Sequence, residues 1–240
     1  MNLKYKSLEE RKRMTKSYPV LVSSYAGSGK STCVEFLPED DKARTIIFLA
    51  ENKQLPEDDE SLYRTIYRLK TEGENPTDSG NVKFRTIEEY LPLIKKAIAH
   101  EEVDRIVLDS FTAYVDTLER TYTKLHNGFT IWVEFSKHLY DLFAVLKNET
   151  YTHGKFVYVL GHYTQSKNPK EKDGERFTKV AGSKHYRMVE ANFNTVVTIE
   201  DFKFIADNED AFSSTRIKRS LSPYESKQND LGELESDLAK

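Results

Sequence analysis

The stretch SSYAGSGKST, residues 23–32, combines residue types that bind phosphate in a loop between a strand and a helix. Gly27 and Gly29 let the backbone turn its N–H groups inward, and Lys30 can reach the outer phosphates. The usual pattern starts with glycine, where this chain has a serine that is less permissive in its backbone angles. The stretch predicts a phosphate loop, the alternative being a glycine-rich turn with a chance lysine, that consists of Ser24, Tyr25, Ala26, Gly27, Ser28, Gly29, Lys30, Ser31 and Thr32.

Two carboxylates follow apolar runs that are typical of buried strands. Asp109 ends the strand in DRIVLDS, where it could hold magnesium through water together with the hydroxyl of Ser31. The residue beside it is Ser110, which is not a carboxylate, so a carboxylate that orients an attacking water must come from elsewhere. Glu51 at the end of TIIFLAE is the candidate. For Asp109 the alternative is a strand that ends in a common turn signal, and for Glu51 it is an acid that only caps a strand.

A third apolar run, VYVLGHYTQ, ends in two polar side chains, His162 and Gln165. Either residue could hydrogen-bond the terminal phosphate of a nucleotide and change conformation when that phosphate leaves. A histidine whose hydrogen bonds are satisfied within the fold is the alternative, and the pattern does not choose between the two residues.

The elements that must position these residues alternate between strands and helices. Apolar runs predict strands at 20–25, 45–50, 105–108, 156–160 and 195–199, and helical periodicity appears at about 130–146. The clearest helical stripe contains Ile87, Tyr90, Leu91, Ile94, Ala97 and Ile98. This order predicts an α/β fold, a mainly parallel sheet with helices on both faces, with an antiparallel extension formed by 195–204 and 215–220.

Composition limits the protein class. The 36 Lys and Arg residues against 39 Asp and Glu give a net charge of −3, so affinity for nucleic acid must come from local basic patches. We expect a cytoplasmic protein without a membrane, because no apolar stretch of about 18 residues and no secretory signal is present. The single Cys33 excludes an intrachain disulfide, and the scattered histidines do not suggest zinc.

The set formed by Lys30-Ser31, Glu51, Asp109-Ser110 and His162/Gln165 resembles the RecA-like P-loop ATPase core. More narrowly, it looks like the small phage nucleotide-binding proteins that act as single-strand annealing proteins or recombinases. In that family the sensor strand lies between the phosphate-loop strand and the magnesium-Asp strand, and the catalytic Glu follows the strand after the first helix. The resemblance implies a Mg2+-dependent ATPase with ATP as its nucleotide, in the host cytoplasm if the chain is phage-encoded.

The resemblance also implies partners and a domain division. We expect a basic N-terminal segment at 1–17, a RecA-like ATPase domain at 18–222 and an acidic tail at 223–240. Family members form rings or filaments and bind single-stranded DNA, so a homo-oligomer is expected, with a single-strand-binding protein as a further candidate partner.

Single strands contact such proteins through loops after the magnesium-Asp strand and the sensor strand. The first loop, 113–129, is little basic, whereas the second, 166–187, could track a phosphate backbone or could be a solvated lid. Its basic residues are Lys167, Lys170, Lys172, Arg176, Lys179, Lys184 and Arg187. Near the end of the chain, Lys218 and Arg219 resemble the pair that reaches a neighbouring subunit's nucleotide, and protection of an edge strand is the alternative.

Two other functions remain open from the sequence. A nucleotide-gated module could anneal single strands with negligible hydrolysis, and a P-loop small-molecule or nucleotide kinase could use the same phosphate loop. Against the kinase hypothesis, the sequence shows no evident arginine-rich lid that would bind the phosphate acceptor.

Overall fold

The computed structural model describes residues 18–25, 28, 30–31, 34, 37–51, 53, 55, 60–70, 73, 75–165, 176–178, 180, 189–205 and 211–221. Its strands are β1 Val20–Ser24, β2 Thr45–Leu49, β3 Thr65–Leu69, β4 Val82–Arg85, β5 Arg105–Asp109, β6 Phe156–Gln165, β7 Arg176–Thr178, β8 Thr195–Ile205 and β9 Ala211–Leu221. Its helices are α1 Glu39–Lys42, α2 Ile87–Ala99, α3 Phe111–Leu125, α4 Phe129–His153 and a 3-10 turn at Glu190–Asn192.

The sheet has the strand order β4-β3-β2-β5-β6-β1-β8-β9, with β7 paired to β6 off this path. Every pair from β4 to β8 along this order is parallel, and β8 and β9 form an antiparallel pair. The predicted fold class, a mainly parallel α/β sheet with an antiparallel C-terminal extension, is therefore confirmed. The strand that carries His162 lies between the phosphate-loop strand and the Asp109 strand, as the resemblance implied.

The central strands are apolar on both faces because both faces are covered. All five residues of β2, TIIFL, are buried, and alternate side chains enter two different clusters. Ile46 and Phe48 belong to the larger cluster, whereas Ile47 and Leu49 belong to the smaller one. A continuous apolar run in the sequence is thus typical of a strand that is covered on both faces of the sheet.

The long helices α2, α3 and α4 pack against one another and cover one face of the sheet. The opposite face is covered by segments that include Val34, Leu55 and Tyr63. In the part of the chain described, no helix combines the length and the apolarity needed to cross a membrane. The predicted end segments 1–17 and 223–240 lie outside the described residues, so the domain division stays a prediction.

Two helices follow the sequence pattern and one departs from the expectation. Helix α2 starts with a capping box formed by Thr86 and Glu89 and buries the predicted stripe except Leu91, which is half-buried. Helix α4 extends beyond the predicted 130–146 to His153 and is capped by Gly154, whose positive φ of 62° suits glycine. The region 113–129, expected as the first single-strand-binding loop, is mostly helix α3, because its apolar residues repeat at helical spacing and pack into the core.

Candidate active site

The carboxyl ends of four adjacent strands place the predicted chemistry together. Within the sheet register, Ser24 at the end of β1 pairs with His162 in β6, and Asp109 at the end of β5 pairs with Leu160. Glu51 follows β2, whose Leu49 pairs with Asp109. Parallel strands therefore align the start of the predicted phosphate loop, the predicted sensor His162 and both carboxylates along one edge.

Lys30 lies at this edge with its side chain buried, only 5% exposed. Its ammonium donates to Ser24 Oγ at 3.0 Å and to the Tyr25 carbonyl at 2.8 Å, and it lies 3.2 Å from His162 Nδ1. A lysine ammonium at this edge can neutralise negative charge on an anionic ligand.

Ser24, the residue that replaces the usual first glycine, takes part in the loop's own hydrogen bonds. Its hydroxyl accepts from Lys30 and bonds to the hydroxyl of Ser28, which also donates to the Tyr25 carbonyl at 2.8 Å. Ser24 is in β1 and its side chain is fully buried. The departure from the usual pattern is thus accommodated by strand backbone and a buried hydroxyl network.

Glu51 is held as a carboxylate by two side chains. His162 Nε2 lies 3.0 Å from its Oε1, and Ser110 Oγ donates to the same oxygen at 2.5 Å. The hydrogen bond from His162 is the largest effect on this group, and together with Ser110 and the charge of Lys53 it outweighs desolvation, lowering the Glu51 pKa to about 2. Glu51 is therefore ionised at all ordinary pH values.

His162 connects the phosphate loop to Glu51. Its Nδ1 can accept a hydrogen bond from the Lys30 ammonium. This arrangement fits a ring that is protonated at Nε2 and donates a hydrogen bond from there to Glu51. Its backbone N–H donates to Thr112 Oγ1 at 2.9 Å, which fixes the strand end against α3. For Gln165 the structure gives the backbone pairing with Arg176 in β7. The choice of phosphate sensor stays a prediction.

Asp109 is 2% exposed, and its two oxygens differ. Oδ2 is 2.6 Å from the ammonium of Lys53, whereas the buried Oδ1 has no hydrogen-bond partner among the described residues. The same Lys53 ammonium donates to Ser31 Oγ. The two predicted magnesium ligands, Ser31 and Asp109, thus already share one cation, and one further oxygen is available.

These donors fit Mg2+. It favours oxygen ligands and keeps several waters or substrate phosphates, so a hydroxyl and one carboxylate are enough from the protein. The described residues contain no cluster of three or more His, Cys, Asp or Glu side chains that could hold a metal by themselves. A metal here would therefore have few protein ligands, and waters or phosphate oxygens would complete its coordination.

A cavity of about 670 Å³ lies beside Glu51, on the side of β3 and β4. Apolar residues such as Leu69, Phe84 and Leu125 form part of its lining, together with polar groups from α3. Its cationic lining residues are Arg68, Lys70, Arg120 and Lys124. The cavity is large enough for a small organic ligand and adjoins the carboxylate proposed to orient water.

The remaining predicted site residues are only partly placed. In β7 and β9 the structure gives backbone pairing alone: Lys218 is opposite Thr198 and Arg219 is opposite Val197, on a strand at the edge of the sheet. Outside the described residues lie Ala26, Gly27, Gly29, Thr32, Lys167, Lys170, Lys172, Lys179, Lys184 and Arg187. Their roles stay predictions.

Three site residues were missed by the sequence reasoning: Lys53, Ser110 as a partner of Glu51, and Thr112. Ser110 also caps α3 by accepting from the Ala113 N–H at 3.2 Å, so Ser before an apolar helical stripe was a usable signal. Lys53 follows β2 in a segment without periodicity, and its contacts depend on tertiary structure alone.

No protein-family model and no curated protein matches the chain. Among solved structures, it is similar to a KaiC-like protein from the hyperthermophilic archaeon Pyrococcus horikoshii OT3, at 12% identity and TM-score 0.43, covering 84% of this chain and 78% of that one. It is also similar to the RadB recombinase, at 15% identity and TM-score 0.48, covering 82% of this chain and 86% of that one. At these values the likenesses concern the fold and carry no argument about function.

Proposed function

We propose that the chain is a RecA-like, Mg2+-dependent ATPase that assembles into a ring or filament and acts on single-stranded DNA in recombination, annealing or replication. The observation that carries the proposal is the convergence of Lys30, Glu51, Asp109 and His162 at the carboxyl ends of four adjacent parallel strands. This edge is where open α/β sheets bind their ligands.

Each side chain has a role that its contacts support. Lys30 would neutralise charge on the outer phosphates, while Ser31 and Asp109 would hold Mg2+, which offsets the negative charge on those phosphates. Glu51, with a pKa of about 2, would orient the attacking water through its charge, since so weak a base removes a proton poorly at neutral pH. His162 would transmit loss of the terminal phosphate, because it contacts both Lys30 and Glu51.

The first experiment replaces Glu51 by Gln and measures ATP binding and ATP turnover separately. The amide keeps the size of the side chain but removes the charge, so binding should persist while turnover falls at least about 100-fold. Glu102→Gln is the matched control, since its side chain is 64% exposed and pairs with Arg64 beyond the opposite edge of the sheet. Unchanged turnover in Glu51→Gln would remove Glu51 from the mechanism.

The proposal that the chain binds DNA rests on the basic residues of the segment 166–187, which are read from the sequence. Binding of an oligonucleotide should weaken steeply with salt, and alanine at Lys170, Lys172 and Lys179 should flatten that dependence by about one unit of log–log slope per lost contact. A control with alanine at the exposed helical residues Lys95, Lys137 and Lys147 should leave the slope unchanged. A slope unaffected by the first triple change would place the DNA elsewhere.

The nucleotide-gated annealing module differs from this proposal in turnover alone. If annealing of complementary oligonucleotides requires ATP but proceeds equally in Glu51→Gln, the module without hydrolysis is favoured.

One observation favours a second candidate, the P-loop kinase. The cavity beside Glu51 has cationic side chains, among them Lys70 after β3 and Arg120 of α3, that could receive a phosphorylated acceptor. Phosphate transfer from ATP to a nucleoside monophosphate in the absence of DNA would support this reading. Absence of transfer together with DNA-stimulated release of phosphate would support the ATPase.

A further inference from the structure

Lys53 lies where a cation between the predicted magnesium ligands would lie. Its ammonium is 2.6 Å from Asp109 Oδ2, donates to Ser31 Oγ and is 3.7 Å from Glu51 Oε2. Three oxygens from three different segments thus surround one positive charge. The proposed magnesium ligands are among them.

The backbone of Lys53 is fixed independently of this charge. Its N–H donates to the Glu51 carbonyl at 3.0 Å, and its carbonyl accepts from Arg68 Nη1 at 2.6 Å. Arg68 in turn pairs with Glu60. The main chain thus anchors the lysine near the site, while its side chain is 27% exposed and has a route to solvent.

We propose that Lys53 is an internal competitor of the divalent cation, which limits binding of metal alone and couples metal entry to nucleotide. An ammonium and a divalent ion cannot both occupy the space between Ser31 Oγ and Asp109 Oδ2, and two adjacent positive charges repel each other. A triphosphate supplies additional oxygen ligands to the metal and negative charge for the displaced ammonium, so it shifts the competition towards the metal. The nucleotide step rests on the proposed function, whereas competition for the metal does not.

The test is a titration of the full chain with Mn2+ alone, with free Mn2+ measured by electron paramagnetic resonance. Lys53→Met should bind Mn2+ at least about tenfold more tightly than the unchanged protein, because it removes the competing charge and keeps the length of the side chain. Lys53→Arg retains the charge and should remain weak. Adding Asp109→Asn to Lys53→Met should abolish the gain.

Lys95→Met is the matched control, since Lys95 is an exposed lysine on α2 that pairs with Glu149. It should bind Mn2+ as the unchanged protein does. Circular dichroism checks that each variant is folded, and Lys53→Gln replaces Lys53→Met in the titration if the latter does not fold. A folded, neutral variant at position 53 that binds Mn2+ no more tightly than the unchanged protein would overturn the proposal.

A second titration separates this inference from the proposed function. ATP should increase the Mn2+ affinity of the unchanged protein by a larger factor than that of Lys53→Met, since the variant no longer has a competitor to displace. Equal factors would refute the coupling. If ATP does not bind at all, the proposed function fails, but the result with Mn2+ alone still decides whether Lys53 competes for the site.

Discussion

Strand β5 carries an aspartate at each end of its run, and the two are paired in opposite ways. Asp104, directly before the strand, accepts two hydrogen bonds from Arg44, at 2.6 Å and 3.0 Å. Asp109, at the other end, shares Lys53 with the hydroxyl of Ser31, and within the described part of the chain its buried Oδ1 has no partner. The two hydrogen bonds from the Arg44 guanidinium satisfy the carboxylate of Asp104, whereas Asp109 keeps an oxygen that can bind a ligand.

Lysines at the two ends of the parallel strands also differ in their partners. Lys155, before β6, is buried and donates to the carbonyls of His100 and Val103, which lie in the turn that leads into β5. Lys30 and Lys53 instead converge on the loop and carboxylates at the far edge. Lys155 therefore stabilises the fold at the amino ends of the strands, whereas Lys30 and Lys53 lie at the carboxyl ends, where ligand binding is proposed.

Asp109→Asn should give the largest effect and the clearest break between the two edges. Loss of the charge removes the carboxylate proposed to hold Mg2+, so the Mg2+-dependent part of ATP affinity should fall at least about 100-fold. The free energy of unfolding should change by less than about 1 kcal/mol, because losing the ion pair with Lys53 is offset by no longer burying a carboxylate charge. Calorimetry with ATP, with and without Mg2+, measures the first quantity and urea denaturation the second.

Asp104→Asn should show the reverse pattern. The change breaks a two-bond contact with Arg44, whose guanidinium has a pKa raised by its hydrogen bond with Asp104, and it should destabilise the fold by about 1–2 kcal/mol. Affinity for ATP should be unchanged in the folded protein. If Asp104→Asn weakened ATP binding as strongly as Asp109→Asn, the division between a structural edge and a functional edge would be wrong.

The sequence predicted the parts of the fold that local patterns encode. Five apolar runs gave β1, β2, β5, β6 and β8, because central strands buried on both faces are apolar throughout. Strands β3 and β4 were not predicted, since TIYRL and VKFR contain cations and are half-buried at the edge of the sheet. Helix α3 had a readable helical stripe, but the family resemblance led to a loop there instead.

The candidate site was predictable where chemistry follows a strand and unpredictable where it depends on tertiary contact. Asp109, Glu51 and His162 each end or follow an apolar run, so parallel pairing was enough to bring them together. Lys53 reaches Asp109 across a sequence separation that no local period reports. Its position among carboxylates is a property of the folded chain, and it changes what is expected of the metal.

A smaller effect tests whether buried polar groups away from the site are purely structural. His138 on α4 bonds through its two ring nitrogens to Tyr114 and Tyr122 of α3, at 2.5 Å and 3.1 Å. Burial lowers the pKa of His138, and the nearby carboxylates of Asp141 and Glu88 oppose this shift only in part. The fold therefore favours the neutral ring.

Because the folded pKa lies below the ordinary value of about 6.5, the unfolded chain takes up the proton more readily. The stability that His138 contributes is thus complete above pH 6.5 and decreases as the pH falls through the folded pKa.

Urea midpoints measured from pH 7.5 to 5 should fall more in the unchanged protein than in His138→Gln, which has no such titration. ATP affinity at pH 7.5 should be the same in both proteins, since this histidine connects helices on the face of the sheet and not at its ligand-binding edge. Parallel pH profiles in the two proteins would show that His138 does not couple protonation to stability, and a loss of ATP affinity in His138→Gln would extend the functional region into the helical layer.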